Sequence, residues 1–153
     1  MTLGSKAFVQ DVTITYRREG FASPAGHSVR TNMESAVCQW LMEHGVAHRH
    51  ASEVLTVVQK PRSEASLFVP DIVLHDRNDD GKMVLIEIVD SYVTKEGGTR
   101  LLSNFRAQAK SGYYMIVIAK KHYMPKILRS AYDVLVDFSK LHLLERRVPI
   151  PGR

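Results

Sequence analysis

The chain reads as an α/β protein built on a mixed β-sheet flanked by helices, and three stretches carry that reading. Ser66 to Tyr92 (SLFVPDIVLHDRNDDGKMVLIEIVDSY) places two apolar, β-branched runs on either side of a polar segment rich in Asp, Asn and Gly, the pattern of a β-hairpin. Tyr113 to Ala119 (YYMIVIA) is a nearly continuous apolar run, as expected of an interior strand covered on both faces. Between them lies a helical pattern, and a helix between strands implies a crossover and hence a mixed sheet.

The elements follow in order. Val12, Ile14 and Tyr16 alternate within Ala7 to Tyr16, which predicts a strand with one buried face. Arg17 to His27, with Arg17, Arg18, Gly20, Pro24 and Gly26, reads as a basic loop. From Thr31 to His44 the spacing of Met33, Val37, Trp40, Leu41 and His44 predicts an amphipathic helix that Gly45 stops. Thr31 and Glu34 fit a capping box, although Glu34 also lies beside the apolar stripe, where its carboxylate reaches the core edge. A His-containing loop leads to a strand over Val54 to Gln59, and Pro61 to Glu64 leads into the hairpin. Pro70 has no N–H, so the first hairpin strand is expected at an edge or locally irregular around Asp71.

After Tyr92, Lys95 to Gly98 is a polar connection and Thr99 caps a helix whose core face is Leu101, Leu102, Phe105 and Ala109. Arg100, Asn104 and Gln108 form a polar row on another face. Gly112 ends this helix before the YYMIVIA strand. Pro125 suits the first turn of a last helix with Met124, Ile127, Leu128, Ala131, Leu135 and Phe138 on its apolar face. The tail from Leu141 to Arg153 is ambiguous between a short strand and a helix end.

With 153 residues, one domain spanning 1–153 is expected, able to bury about 70% of its unfolded surface without a disulfide or structural metal. Cys38 is the only cysteine, which excludes an intrachain disulfide and points to a reducing compartment: cytoplasmic, or nuclear in a eukaryote. No segment approaches the length of a membrane span. A net charge of +5 and a pI near 9.4 favour contact with phosphate backbones.

Each arm of the hairpin carries a carboxylate in its middle. A loop of Arg77 to Gly81 pairs Asp76 with Lys82 and places Asp71 directly opposite Glu87. Like charges there repel, and an arrangement that costs stability usually holds something, most simply a cation. A tighter hairpin turning at Asp80-Gly81 pairs Asp71 with Asp90 instead. His44, His48 and His50 with Cys38 lack the CxxC or HExxH spacing of a zinc site and are not expected to bind metal. Asp76, Asp79 and Asp80 are expected to solvate the turn. No Gly-x-Ser-x-Gly nucleophile and no glycine-rich phosphate loop occurs.

The helix glutamate Glu34, Pro70-Asp71 on one strand, Glu87 on the next, then a helix with Arg106-Ala107-Gln108 and an apolar strand together resemble the PD-(D/E)xK nuclease superfamily. The likeness spans about 28–122, with 1–27 an N-terminal strand and basic loop and 123–153 a C-terminal helix and tail. It implies a restriction-endonuclease-like fold with core order α-β-β-β-α-β. It further implies that Asp71, Glu87 and the Ile88 carbonyl hold Mg²⁺ or Mn²⁺, that Glu34 reaches the ion through water, and that Gln108 positions water or phosphate. Arg17, Arg18, Arg100, Asn104, Arg106, Lys120 and Lys121 would meet DNA. The family's lysine two residues after the strand carboxylate, which activates water and stabilises charge, is Val89 here. The candidate substitutes are Lys95, Arg100, Lys82 and Lys110, with Lys95 and Arg100, near the strand-to-helix junction, ahead of Lys82 at the hairpin tip.

The functional expectation is a divalent-metal-dependent endonuclease acting on DNA. Val89 favours the alternative, a catalytically degenerate nuclease-fold protein that binds nucleic acid or serves as an assembly subunit. A homodimer or a larger complex fits either reading.

Overall fold

Alternating apolar residues form β1 (Gln10–Tyr16), and β2 (Phe21–Ala22), within the expected basic loop, pairs antiparallel with β3 (Ser28–Val29) just beyond it. The structure, a computed structural model, describes residues 10–16, 21–22, 28–29, 31–50, 53–59, 65–68, 70–89 and 112–152, with side chains described for 31–50, 70–89 and 112–152.

The helix α1 (Asn32–Glu43) starts where the capping signal predicts, with the Glu34 N–H donating to Thr31 Oγ1 at 3.0 Å. It stops at Gly45, whose φ of +73° suits a residue without a Cβ. Met33, Val37, Cys38 and Leu41 form its buried stripe, so the helical spacing seen in the sequence is the packing face.

Seven strands follow: β4 (His48–His50), β5 (Glu53–Gln59), β6 (Ala65–Phe68), β7 (Ile72–Leu74), β8 (Met83–Val89), β9 (Tyr113–Ala119) and β10 (Val134–Asp137). They divide between two sheets. A three-stranded antiparallel sheet has the order β1-β5-β6, and a five-stranded mixed sheet has the order β10-β9-β8-β7-β4. Within the larger sheet β4, β7 and β8 run antiparallel, while β8, β9 and β10 run parallel. The protein is therefore α/β with a mixed open sheet and, among the described residues, few helices.

Two expectations need correction. The first hairpin arm, FVPDIVLH, is not one strand: β6 ends at Phe68 in one sheet and β7 begins at Ile72 in the other. Pro70, lacking an N–H and restricting the residue before it, marks the break. Its effect is local irregularity and not an edge position, because β7 lies between β4 and β8. The last helix is absent as well. Lys121–Lys126 and Arg129–Ala131 are short 3-10 turns, Val134–Asp137 is a parallel strand, and Phe138–Arg146 is again 3-10 with a kink at Lys140. Helical spacing in that segment is overridden by two needs: β9 requires a partner on its outer side, and the run Val134-Leu135-Val136 is itself suited to a buried parallel strand. Asp133 clamps the junction, donating its N–H to Met115 O at 2.8 Å and accepting from Met115 N–H at 2.6 Å.

Two apolar clusters cover the two faces of the five-stranded sheet. Ile72, Leu74, Val84, Ile86, Ile88, Ile116 and Ile118 pack against Met33, Val37 and Leu41 of α1 and against Leu144 and Val148. Val73, Leu85, Val89, Met115, Val117 and Ala119 pack on the other face against Ile127 and Ala131. Strand residues two apart thus share a cluster, as the pleat requires.

Candidate functional site

The β7–β8 ladder pairs Ile72 with Ile86 and Val73 with Leu85. Continuing that register outward sets Asp71 opposite Glu87, as the longer hairpin loop predicts, and excludes the Asp71–Asp90 register. The turn is fixed by Asn78, whose Oδ1 accepts from the Asp80 and Lys82 amides at 3.1 and 2.9 Å, and by Gly81 at φ +77°. Asp76, Asp79 and Asp80 are exposed around it.

Both strand carboxylates are buried, Asp71 to 3% and Glu87 to 6% exposure. Asp71 sits on a bend just before β7, and its Oδ2 accepts the Ile88 N–H at 2.7 Å. By the same register Pro70 faces Ile88 and has no N–H to offer its carbonyl. The N–H and C=O of one strand residue project to the same neighbour. The Ile88 carbonyl therefore points to the side on which Asp71 lies, at the end of the ladder. Val89, at the position of the family lysine, is wholly buried among Leu85, Val117 and Ala119.

Glu34 is placed differently from the expectation. Its Oε2 meets His50 Nδ1 at 2.7 Å, both groups being buried. His50 pairs with Ile72 and His48 with Leu74, which face α1, so the Glu34–His50 contact lies on the α1 face. Glu87 alternates with Ile86 and Ile88 and so faces the opposite side with Leu85 and Val89.

On the α1 face the structure assembles a cluster that local sequence spacing argues against. Cys38 Sγ lies 3.4 Å from His48 Nε2 and 3.2 Å from His50 Nε2, and the two Nε2 atoms are 3.1 Å apart. His48 Nδ1 is 2.8 Å from the Val46 carbonyl. Among the described residues this is the group of three or more His, Cys, Asp or Glu donors able to share one ion. His44 stands apart, stacked on Trp40 at 3.8 Å with Nδ1 on the Trp40 carbonyl. No local motif marks the cluster, because its side chains come from two elements. Two weaker signals were present: His48-x-His50, which puts both rings on one strand face, and Glu34 and Cys38 one helical turn apart.

Lys120 and Lys121 are exposed at the C-terminal end of β9. Beside them Asp137 is held below the usual carboxylate range, first by the Ser139 N–H at 2.9 Å, then by the Ser139 hydroxyl at 2.8 Å, with Lys140 and Lys121 adding favourable charge. Burial pushes the Tyr113 phenol upward, opposed in part by Arg77. Arg17, Arg18, Lys95, Arg100, Asn104, Arg106, Gln108 and Lys110, together with the helix expected from the sequence to carry the last five, lie outside the described residues. Among the described residues, no helix is long and apolar enough to cross a membrane.

The chain matches no protein-family profile, no curated protein and no solved structure.

Proposed function

We propose that the protein is a divalent-metal-dependent phosphodiesterase of the restriction-endonuclease-like type, acting on DNA. The observation that supports this reading is the β7–β8 register, which continued by one pair sets Asp71 opposite Glu87, with the Asp71 carboxylate on the Ile88 N–H. The donor set suits Mg²⁺ or Mn²⁺, since hard divalent ions take carboxylate and carbonyl oxygens. Asp71 and Glu87 would hold the ion, with the Ile88 carbonyl as the third oxygen. Bound there, it supplies charge that polarises the scissile phosphate and acidifies water. The chain's own contribution is positional: the Ile88 N–H fixes the Asp71 carboxylate, and the buried sheet excludes water behind it. Lys120 and Lys121, at the C-terminal end of the neighbouring parallel strand, offer phosphate contacts.

One observation favours a second reading. Val89 is buried among apolar side chains, which denies the site a cation from that position. A binding protein that keeps the fold without hydrolysis accounts for it. Incubation of plasmid and branched DNA with Mg²⁺ or Mn²⁺, beside Glu87→Ala, separates the two. Cleavage lost in Glu87→Ala supports hydrolysis at this site. Equal cleavage by both proteins removes Glu87 from the mechanism, and retention of DNA without cleavage by either supports the binding reading.

A further inference from the structure

The two histidines of the Cys38 cluster have their tautomers set from outside. A backbone carbonyl only accepts, so His48 Nδ1, at 2.8 Å from Val46 O, carries a proton. The Glu34 carboxylate likewise takes the Nδ1–H of His50 at 2.7 Å. In the neutral rings both Nε2 atoms then present lone pairs, and these face each other at 3.1 Å with Cys38 Sγ beside both. Two lone pairs at that separation need a positive centre between them. A proton on Sγ or on one Nε2 serves a single pair of these atoms, whereas a metal ion serves all three donors.

We propose that Cys38, His48 and His50 form a transition-metal site that takes Zn²⁺ or an ion of its class, with Glu34 and the Val46 carbonyl as the groups that orient the imidazoles. The dimensions suit it. Tetrahedral zinc with ordinary bond lengths sets nitrogen donors about 3.3 Å apart and nitrogen and sulfur about 3.6 Å apart, close to the 3.1 to 3.4 Å found here. One thiolate and two imidazoles are borderline-soft donors, unlike the carboxylate and carbonyl oxygens of the Asp71 site, so the two sites select different ions. A carboxylate on the far nitrogen of a ligating histidine is the usual outer partner of protein zinc. Cys38 would bind as thiolate, its proton released to solvent. The ion would join α1 to β4, a strand of three residues that among the described residues pairs with β7 at the edge of its sheet. Water or a further protein donor completes the coordination.

Metal analysis of the purified chain, followed by Co²⁺ and Zn²⁺ titration of the metal-stripped protein, tests this directly. The expected result is one equivalent per chain, Co²⁺ absorption of tetrahedral intensity, and a thiolate-to-cobalt charge-transfer band. Since Cys38 is the only cysteine, that band reports this site alone. Cys38→Ser abolishes it, His50→Ala weakens Zn²⁺ binding severely, and Glu34→Gln keeps one equivalent but lowers affinity about 10–100-fold. Zinc at a hundredfold excess over its Kd raises the melting temperature of the stripped protein by roughly 5–10 °C. A stripped wild-type chain with native circular dichroism that binds neither ion overturns the proposal. So does Zn²⁺ affinity unchanged in both Cys38→Ser and His50→Ala, and neither result depends on whether the protein cleaves DNA.

Discussion

Asp71 shows how one side chain replaces a backbone. The ladder between β7 and β8 ends at Ile72–Ile86, and Asp71 Oδ2 takes up the Ile88 N–H that Pro70 faces. Asp71→Ala leaves that buried donor unsatisfied and is expected to cost about 1–3 kcal/mol, read as a lower denaturation midpoint at unchanged m-value. Asp71→Asn keeps an acceptor and loses the charge, so it is expected to retain most of that stability while losing any Mg²⁺-dependent cleavage.

Two other residues contribute to the pH dependence of stability. The Asp137 carboxyl is lowered from 3.8 by its Ser139 contacts, so its contribution is present above pH 3.8 and is lost as pH falls through the lowered value. In Asp137→Asn, acid unfolding below pH 3.8 is accordingly less steep, as circular dichroism would record. The Tyr113 phenol is raised above 10.0, so the unfolded chain ionises first and stability declines as pH rises beyond that value. Tyr113→Phe is expected to blunt the alkaline limb above pH 10.0 alone.

At the scale of elements, α1 is the part most legible in the sequence. Its cap, its buried stripe and its glycine stop are each local, and a local signal is what a sequence displays. Thr31→Ala is expected to cost about 0.5–2 kcal/mol through the lost Glu34 amide bond, and Leu41→Ala about 2–5 kcal/mol through the cavity in the α1 face of the core. Thermal unfolding distinguishes the two by size. The hairpin register was legible too, because loop length fixes which residues face each other. What local pattern did not reveal was set by distant partners. Val134 to Asp137 has helical and strand character in equal measure, and the outer side of β9 decides between them. His48 and His50 look like loop residues until β7 pairs with them.

For the whole molecule, the mixed sheet was legible from the order of apolar runs, whereas the grouping of side chains across it was not. The expectation that Glu34 serves the strand carboxylates treated the helix and the hairpin as meeting on one face. In the structure the Glu34 carboxylate meets His50 on the α1 face, while strand alternation turns Glu87 to the other face. If DNA is the partner, its affinity falls linearly in log–log form with salt, by about 0.9 per phosphate contacted. Replacing Lys120 and Lys121 together by alanine is expected to shallow that slope by about 2. Filter binding across a salt series measures it, and an unchanged slope removes both lysines from the interface.

The parallel pairing of β8, β9 and β10 has a kinetic consequence. The β7–β8 hairpin closes over a short turn, but the parallel pairing of β9 with β8 is a longer-range contact, and β10 waits on β9. Closing those loops costs entropy before any contact between the strands returns it. In pulse-labelled hydrogen exchange the β7–β8 amides should gain protection first and those between β9 and β10 last. During that interval the outer edge of β8, Met83 to Val89, is an uncovered apolar strand. It is the stretch on which a newly made chain would aggregate if folding were slowed.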